Sequence, residues 1–209
     1  MLTAKNANHL EKVLAPGQTL FSAEEPAEVA YLVREGVLIV SATSLNGREV
    51  ITSIYFPGEI CGGFAALTGS THTGTARAPR KSSVVVEPIR SSQLLDAIGR
   101  DRDLYLKLLA TQREKEIFKD KMLLGVVADT CEQRMASTLL WLARKNAECS
   151  EPSDRFLLSR QELADLIGTT METVIRLLSR FRKQGMIAES KGSVSVNVAA
   201  LQSIASAAA

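Results

Sequence analysis

The chain has 209 residues, a length that suits one large or two small domains, and two fits better. Hydrophobic residues make up 45% and charged residues 23%, enough to bury a core, but no apolar run approaches membrane-spanning length and Met1-Leu2-Thr3-Ala4-Lys5 lacks the apolar segment of a signal peptide. A formal charge of +2 does not by itself point to nucleic acid. Three scattered cysteines (Cys61, Cys131, Cys149) form no C-x-x-C pair and no even framework, which suits a reducing cytoplasm.

From about Leu10 to Ile89 the pattern predicts β structure. Gln18-Thr19-Leu20-Phe21 is extended, and Val29–Val33 and Val37–Val40 flank a turn at Arg34-Glu35-Gly36. Leu45-Asn46-Gly47-Arg48 is a hairpin turn leading into Glu49–Phe56; Pro57-Gly58-Glu59 turns the chain again, and Ser82 to Glu87 makes a last strand. Many short strands with Gly and Pro turns imply a sandwich or jelly-roll barrel. Ser92 to Ile98 reads as a short helix, and Asp101 to about Val127 as one long helix. The long helix is apolar at its ends and polar all round in its middle, Thr111 to Glu116. That fits a dimer coiled coil whose seam is interrupted by charge; the plainer alternative is a helix packed on its own barrel. Glu132 to Arg144 is a further helix, with Asn146 to Asp154 as its polar exit loop.

The most informative stretch follows. Ser159-x-x-Glu162 and Thr169-x-x-Glu172 each set a hydroxyl N-cap three residues before a Glu, so two helix starts lie ten residues apart across Gly168. Leu163, Leu166 and Ile167 form the first apolar stripe, and Val174, Leu177, Leu178 and Phe181 the second. Paired in this way they predict a helix-turn-helix, whose second helix can enter the DNA major groove. Its outer face carries Glu172, Ile175, Arg176 and Ser179. An Arg can bridge the acceptors of a guanine edge, a Glu can accept from cytosine N4, and an exposed Ile suits a thymine methyl. Arg180, Arg182 and Lys183 supply phosphate contacts, with Arg160, Thr170, Ser179 and Lys191 as further backbone candidates. The plainer reading makes Glu172 a capping residue and Arg176 a solvated one. After Gly185, Met186–Ser190 and Ser193–Val198 read as a hairpin turning at Lys191-Gly192, the wing of a winged helix.

These residues resemble the Crp/Fnr family of bacterial transcription regulators. The resemblance rests on Leu158–Ala164, Met171–Leu178 and Gln184-Gly185-Met186-Ile187, and it extends over nearly the whole chain. It implies an α+β chain in three parts: a cyclic-nucleotide-binding-like β jelly-roll sensor barrel over 1–100, a long dimerisation helix over 101–128, and a winged helix-turn-helix over 129–209. In the family, the residues at the positions of Glu172 and Arg176 read the GA of each half-site. Met171 and Ile175 depart from both well-known branches, and the chain sits nearer the Fnr one. The resemblance further implies a cytoplasmic homodimer on double-stranded DNA, contact with RNA polymerase, and action as an activator.

The sensor pocket says more by absence. Aligning Pro57–Phe64 with the family's ribose-binding stretch sets Cys61, Gly62 and Gly63 there, with Gly63 in place of the expected Glu. The phosphate-binding Arg-Ser pair becomes Gly74-Thr75, and the adenine-facing polar pair becomes Lys119-Asp120. Without the cation a buried phosphate would be left unpaired, so cAMP is not expected; Arg77 or Arg80 is the available substitute. An iron–sulfur cluster is not expected either, since it wants four thiolates and Val86 stands where the strand cysteine would lie. Haem has only His9, His72 and the cysteines as axial candidates, and His72 reads as an exposed loop histidine. Cys61 is a candidate redox switch or a small buried hydrophobe. No P-loop, GxSxG, HExxH or paired catalytic carboxylates appear, so no enzyme is expected. An interaction adaptor that does not bind DNA stays open as the alternative.

Overall fold

Short strands with alternate residues turned inward build the first half of the chain. The computed structural model describes residues 11–149, 158–190 and 193–206. Strands β1 (Lys12–Leu14), β2 (Thr19–Phe21), β3 (Val29–Glu35), β4 (Leu38–Thr43), β5 (Glu49–Tyr55), β6 (Ile60–Cys61), β7 (Thr75–Arg77) and β8 (Val84–Arg90) form two four-stranded antiparallel sheets, ordered β1-β8-β3-β6 and β2-β7-β4-β5. This is the jelly-roll sandwich that the turn spacing predicts. Leu14, Val33, Leu38, Ala76, Val84 and Val86 fill its interior. The turn after β3 depends on Gly36, at φ +74°, where an added Cβ would lie 2.7 Å from the Ser83 carbonyl oxygen. The Asn46-Gly47 hairpin forms as read, with Ser44 N–H donating to Arg48 O and Gly47 N–H to Ser44 O.

A short helix, α1 (Gly63–Thr68), interrupts the β region where the sequence announces no helix. Its local pattern is too short to announce a helix. It forms because Ala66 packs in a second apolar cluster with Ala30, Leu32, Ile60, Leu94 and Leu108. Helix α2 (Ser91–Arg100) supplies Leu94, and α3 (Arg102–Ala128) supplies Leu108. Asp101 starts α3: its Oδ1 accepts the N–H groups of Asp103 at 3.0 Å and Leu104 at 3.1 Å.

The chain divides into two compact units whose boundary falls inside α3, between Ile117 and Phe118. Beyond α3 the second unit holds α4 (Cys131–Glu148), α5 (Arg160–Ile167), α6 (Met171–Lys183), β9 (Ile187–Ser190), β10 (Ser193–Val196) and α7 (Val198–Ala205). Helix α4 runs past the expected end at Arg144, because Arg144 and Lys145 both pair with Glu148. The expected exit loop is therefore helical to Glu148, and its residues from 150 lie outside the described ones. Helix α7 was not expected; Asn197 caps it by accepting Ala200 N–H at 3.2 Å, and Leu201 is fully buried.

The middle of α3 corrects the expectation of a polar surface. Lys115 is only 2% exposed, and its ammonium donates to Ile54 O at 2.7 Å and to Glu59 Oε2 at 2.5 Å. Glu59 Oε2 also accepts Phe56 N–H at 3.0 Å. The Lys115 ammonium lies 4.8 Å from the Tyr55 ring centroid and 5.6 Å from that of Phe56. Leu104, Leu108, Thr111, Lys115 and Phe118 follow the inward spacing of one helix face, so Lys115 enters at the helical period of the core. Removing one member strands the other charge. Lys115→Met is expected to destabilise the first unit by about 3–5 kcal/mol in denaturant unfolding, and adding Glu59→Gln should recover most of that loss.

Candidate nucleic-acid interface

Helix α5 begins at Ser159, whose hydroxyl accepts Glu162 N–H while Glu162 Oε2 accepts Ser159 N–H at 2.7 Å, completing the capping box read from the sequence. It ends at Gly168, left-handed at φ 68°, with Thr169 N–H donating to Ala164 O. The second cap lies one residue later than expected. Thr170, not Thr169, caps α6 by accepting Thr173 N–H at 3.3 Å. The reason is local: the Thr169 amide terminates α5, and its hydroxyl lies 3.5 Å from Cys131 Sγ.

That shift changes the position of Glu172. It is the second residue of α6, so it does not close a capping box, and it is fully exposed. Hydrogen bonds from its own backbone N–H, then from the Thr170 hydroxyl, hold its carboxyl below the ordinary range, so it is ionised at neutral pH. Val174, Leu177 and Phe181 are buried at 0%, 5% and 0% exposure, whereas Leu178 is only partly covered. The opposite face presents Ile175, 43% exposed, and Arg176, whose Nη2 donates to Thr173 Oγ1 at 3.3 Å. Glu172, Ile175 and Arg176 thus stand together in water, an acceptor, an apolar group and a forked donor on one helix face.

The other predicted contacts divide. Arg160, Arg182 and Lys183 are exposed, Ser179 is half-buried, and the Thr170 hydroxyl is engaged in its cap. Arg180 Nη1 donates to Glu132 Oε2 at 2.6 Å and so links α6 to the first turn of α4. Strands β9 and β10 pair antiparallel, Ile187 opposite Val196 and Ser190 opposite Ser193, as the wing requires. Lys191 and the turn itself lie outside the described residues.

The effector positions are less open. Gly63 is buried, and a Cβ there would sit 3.2 Å from both Ile60 Cγ2 and Leu108 Cδ1, so the position of the missing Glu is closed by apolar side chains. A Cβ on Gly74 would lie 2.9 Å from Ser41 O and from Val40 Cγ1. Thr75 Oγ1 accepts Ala23 N–H at 3.1 Å. Arg77, the cation considered as a substitute, donates to Glu49 at 3.0 Å, and Arg80 lies 3.6 Å from the same carboxylate. Lys119 and Asp120 are exposed on α3, in the second unit. The group that reaches into the barrel instead is Lys115, and Glu59 already neutralises it.

Cys61 lies in the barrel core, where burial pushes its thiol pKa far up, with Lys115 opposing and Glu59 reinforcing the shift. That is the setting of a structural thiol rather than a reactive one. His72 is not the exposed loop residue expected. It is 6% exposed, stacked on Phe21 at 3.6 Å between ring centroids, and burial lowers its pKa against the opposing field of Glu25. Its ring fills the space beside Gly62, where a Cβ would lie 2.9 Å from His72 Cε1. His9 lies outside the described residues. Among the described residues no three His, Cys, Asp or Glu side chains could hold a metal ion, and no helix is long and apolar enough to cross a membrane.

A β-sandwich, a long helix and a winged helix-turn-helix are the parts of a DNA-binding transcription regulator. Residues 133–204 match the Crp-like helix-turn-helix domain, and residues 11–100 the cyclic nucleotide-binding domain. The transcriptional regulatory protein Btr of Bordetella pertussis is 33% identical over 174 residues, covering 82% of this chain and 70% of Btr. The fumarate and nitrate reduction regulatory protein of Escherichia coli K12 is 29% identical over 180 residues, covering 85% and 71% of the two chains. The solved structure of FixK2 from Bradyrhizobium japonicum superposes with a TM-score of 0.80 at 26% identity, over 95% of this chain and 98% of FixK2. The chain belongs to the Crp/Fnr family of transcription regulators and is not an enzyme.

The cap assignment is testable. Thr170→Ala should destabilise the second unit by about 1 kcal/mol, as loss of an N-cap does, and Thr169→Ala by less. Denaturant midpoints of the two variants compare them, and a larger loss from Thr169→Ala would reverse the order.

Proposed function

We propose that the protein is a cytoplasmic homodimer that binds a pseudo-palindromic DNA site with a GA core in each half, contacts RNA polymerase, and does so without cAMP. The observation that carries the reading is the outer face of α6, where Glu172, Ile175 and Arg176 stand in water while Val174, Leu177 and Phe181 are buried behind them. Arg160, Arg182, Lys183 and Lys191 then hold phosphates, and the chain works as a sensor unit over 1–100, a dimerisation helix over 101–128 and a DNA-binding unit from 129. The dimer is supported by α3. Leu106, Ala110, Arg113, Ile117, Asp120, Leu124 and Val127 recur at alternating four- and three-residue steps, and all are exposed. Leu124 is 67% and Val127 83% exposed, an apolar surface that a second copy would cover. Independence from cAMP is supported by the closed surroundings of Gly63 and Gly74 and by the pairing of Arg77 and Lys115 with carboxylates.

Operators selected by the protein from random duplex should contain two half-sites with centres about one helical turn apart, roughly 34–36 Å, and sedimentation should find two chains per duplex. Arg176→Ala should weaken binding to that operator by ~1–3 kcal/mol and relax preference at one G·C pair. Lys183→Ala should instead weaken all sequences alike and flatten the salt dependence. Equal losses on specific and random DNA for Arg176→Ala would remove it as a base reader.

Calorimetry with cAMP, run beside operator titrations with and without it, checks the sensor reading. No saturable heat and an unchanged operator affinity are expected. Micromolar binding that tightened the operator complex would overturn the reading, because a ligand shifts a protein between states only by its differential affinity.

A further inference from the structure

Arg134 lies on the inner face of α4, in line with Thr138 and Leu142, and is only 9% exposed. Its guanidinium is distributed over three backbone carbonyls from two parts of the chain and one sulfur. Nε donates to Ile167 O at 2.8 Å, the last residue of α5 before the Gly168 turn. Nη1 donates to Gly125 O at 3.3 Å and Asp129 O at 2.7 Å, at the end of α3. Nη2 lies 3.2 Å from Cys131 Sγ. Gly125 O also accepts Asp129 N–H at 2.9 Å. The carbonyls at the end of a helix carry negative partial charge, so one planar cation bridges the ends of α3 and α5. A Cβ on Gly125 would lie 3.1 Å from Asp129 Oδ2 and 3.4 Å from Arg134 Cγ and Cδ, so the two residues pack closely. Two neighbours draw the same parts together. Cys131 Sγ meets Thr169 Oγ1 at 3.5 Å, and Glu132 holds Arg180 of the recognition helix.

We propose that Arg134 is a positioning residue that sets the angle of the recognition helix against the end of α3, with the Glu132–Arg180 pair as its second point of attachment. Neither Arg134 nor Glu132 is among the DNA-contacting residues, so they act through α6. In a dimer joined along α3, that angle decides how far apart the two recognition helices lie, and hence which spacing between half-sites is accepted. The inference rests on the DNA-binding dimer argued above.

Arg134→Lys keeps the charge but loses the fork that reaches all the acceptors at once. The full-length protein, Arg134→Lys and Glu132→Gln are each titrated with the selected operator, with the same operator lengthened or shortened by one and two base pairs between half-sites, and with a random duplex. The unaltered protein should prefer its own spacing. Arg134→Lys should reduce that preference about fivefold or more, with affinity for the random duplex unchanged within about twofold. Glu132→Gln, at a partly exposed pair, should shift it in the same direction by less. A purely structural role would lower all affinities together and leave the spacing preference intact. An unchanged preference in Arg134→Lys overturns the proposal; if that variant does not fold, an unchanged preference in Glu132→Gln does so. If the unaltered protein itself selects no operator, the DNA-binding reading has failed rather than the positioning role.

Discussion

Helix α6 has to meet two opposed demands within thirteen residues. One face must stay in water to meet DNA, and the other must hold the helix still. A helix of this length is marginal alone, so its existence and its direction both come from burial of Val174, Leu177 and Phe181. Each such side chain contributes roughly 1.5–3 kcal/mol when fully buried. The direction of α6 is therefore inherited from α4 and α5, and whatever fixes those helices fixes the recognition face. The left-handed turn at Gly168, the Thr170 cap and the Arg180–Glu132 pair refine an orientation that the apolar stripe first imposes.

Buried charge follows one rule throughout. In the first unit, the buried cations among the described residues are Lys115 and Arg77, and each faces a carboxylate, Glu59 or Glu49. In the second unit, buried Lys145 also pairs with a carboxylate, Glu148, whereas Arg134 faces carbonyls at helix ends instead of an acid. The outcomes differ physically. A lysine–glutamate pair is neutral, whereas an arginine spread over carbonyls ties segments together without cancelling its charge.

Much of this was legible in the residues. Strands β2 to β5, the Asn46-Gly47 hairpin, the Ser159 capping box and the Val174, Leu177 and Phe181 stripe of α6 are local or periodic signals, and they appear where the sequence predicts them. Strands β1, β6 and β7 are too short to announce themselves, and the last strand of the sandwich runs Val84–Arg90 rather than Ser82–Glu87. Helix α1 and helix α7 were not legible, because each is short and exists through packing of one or two residues such as Ala66 or Leu201. The second cap moved from Thr169 to Thr170 because two adjacent threonines offer the same chemistry, and only the end of α5 decides between them. His72 looked like loop and is core, since its partner Phe21 is fifty-one residues away and nothing local announces the stack.

What the sequence by itself determined is the succession of a β region, a long helix and a helix-turn-helix with its hairpin, and the chemistry offered on the outer face of α6. Both depend on periodicity and on residues near one another in the chain. What only the tertiary structure decided is which charges are inside. Lys115 and Arg134 each sit at an inward helical position, a signal that could have been read, but the same spacing serves a solvated residue equally well. Ile54 and Glu59 for one, and Ile167 for the other, are acceptors that come from distant parts of the chain. A charge is stable in the interior only when such acceptors converge on it, and convergence is a property of the packed fold rather than of any local run of residues.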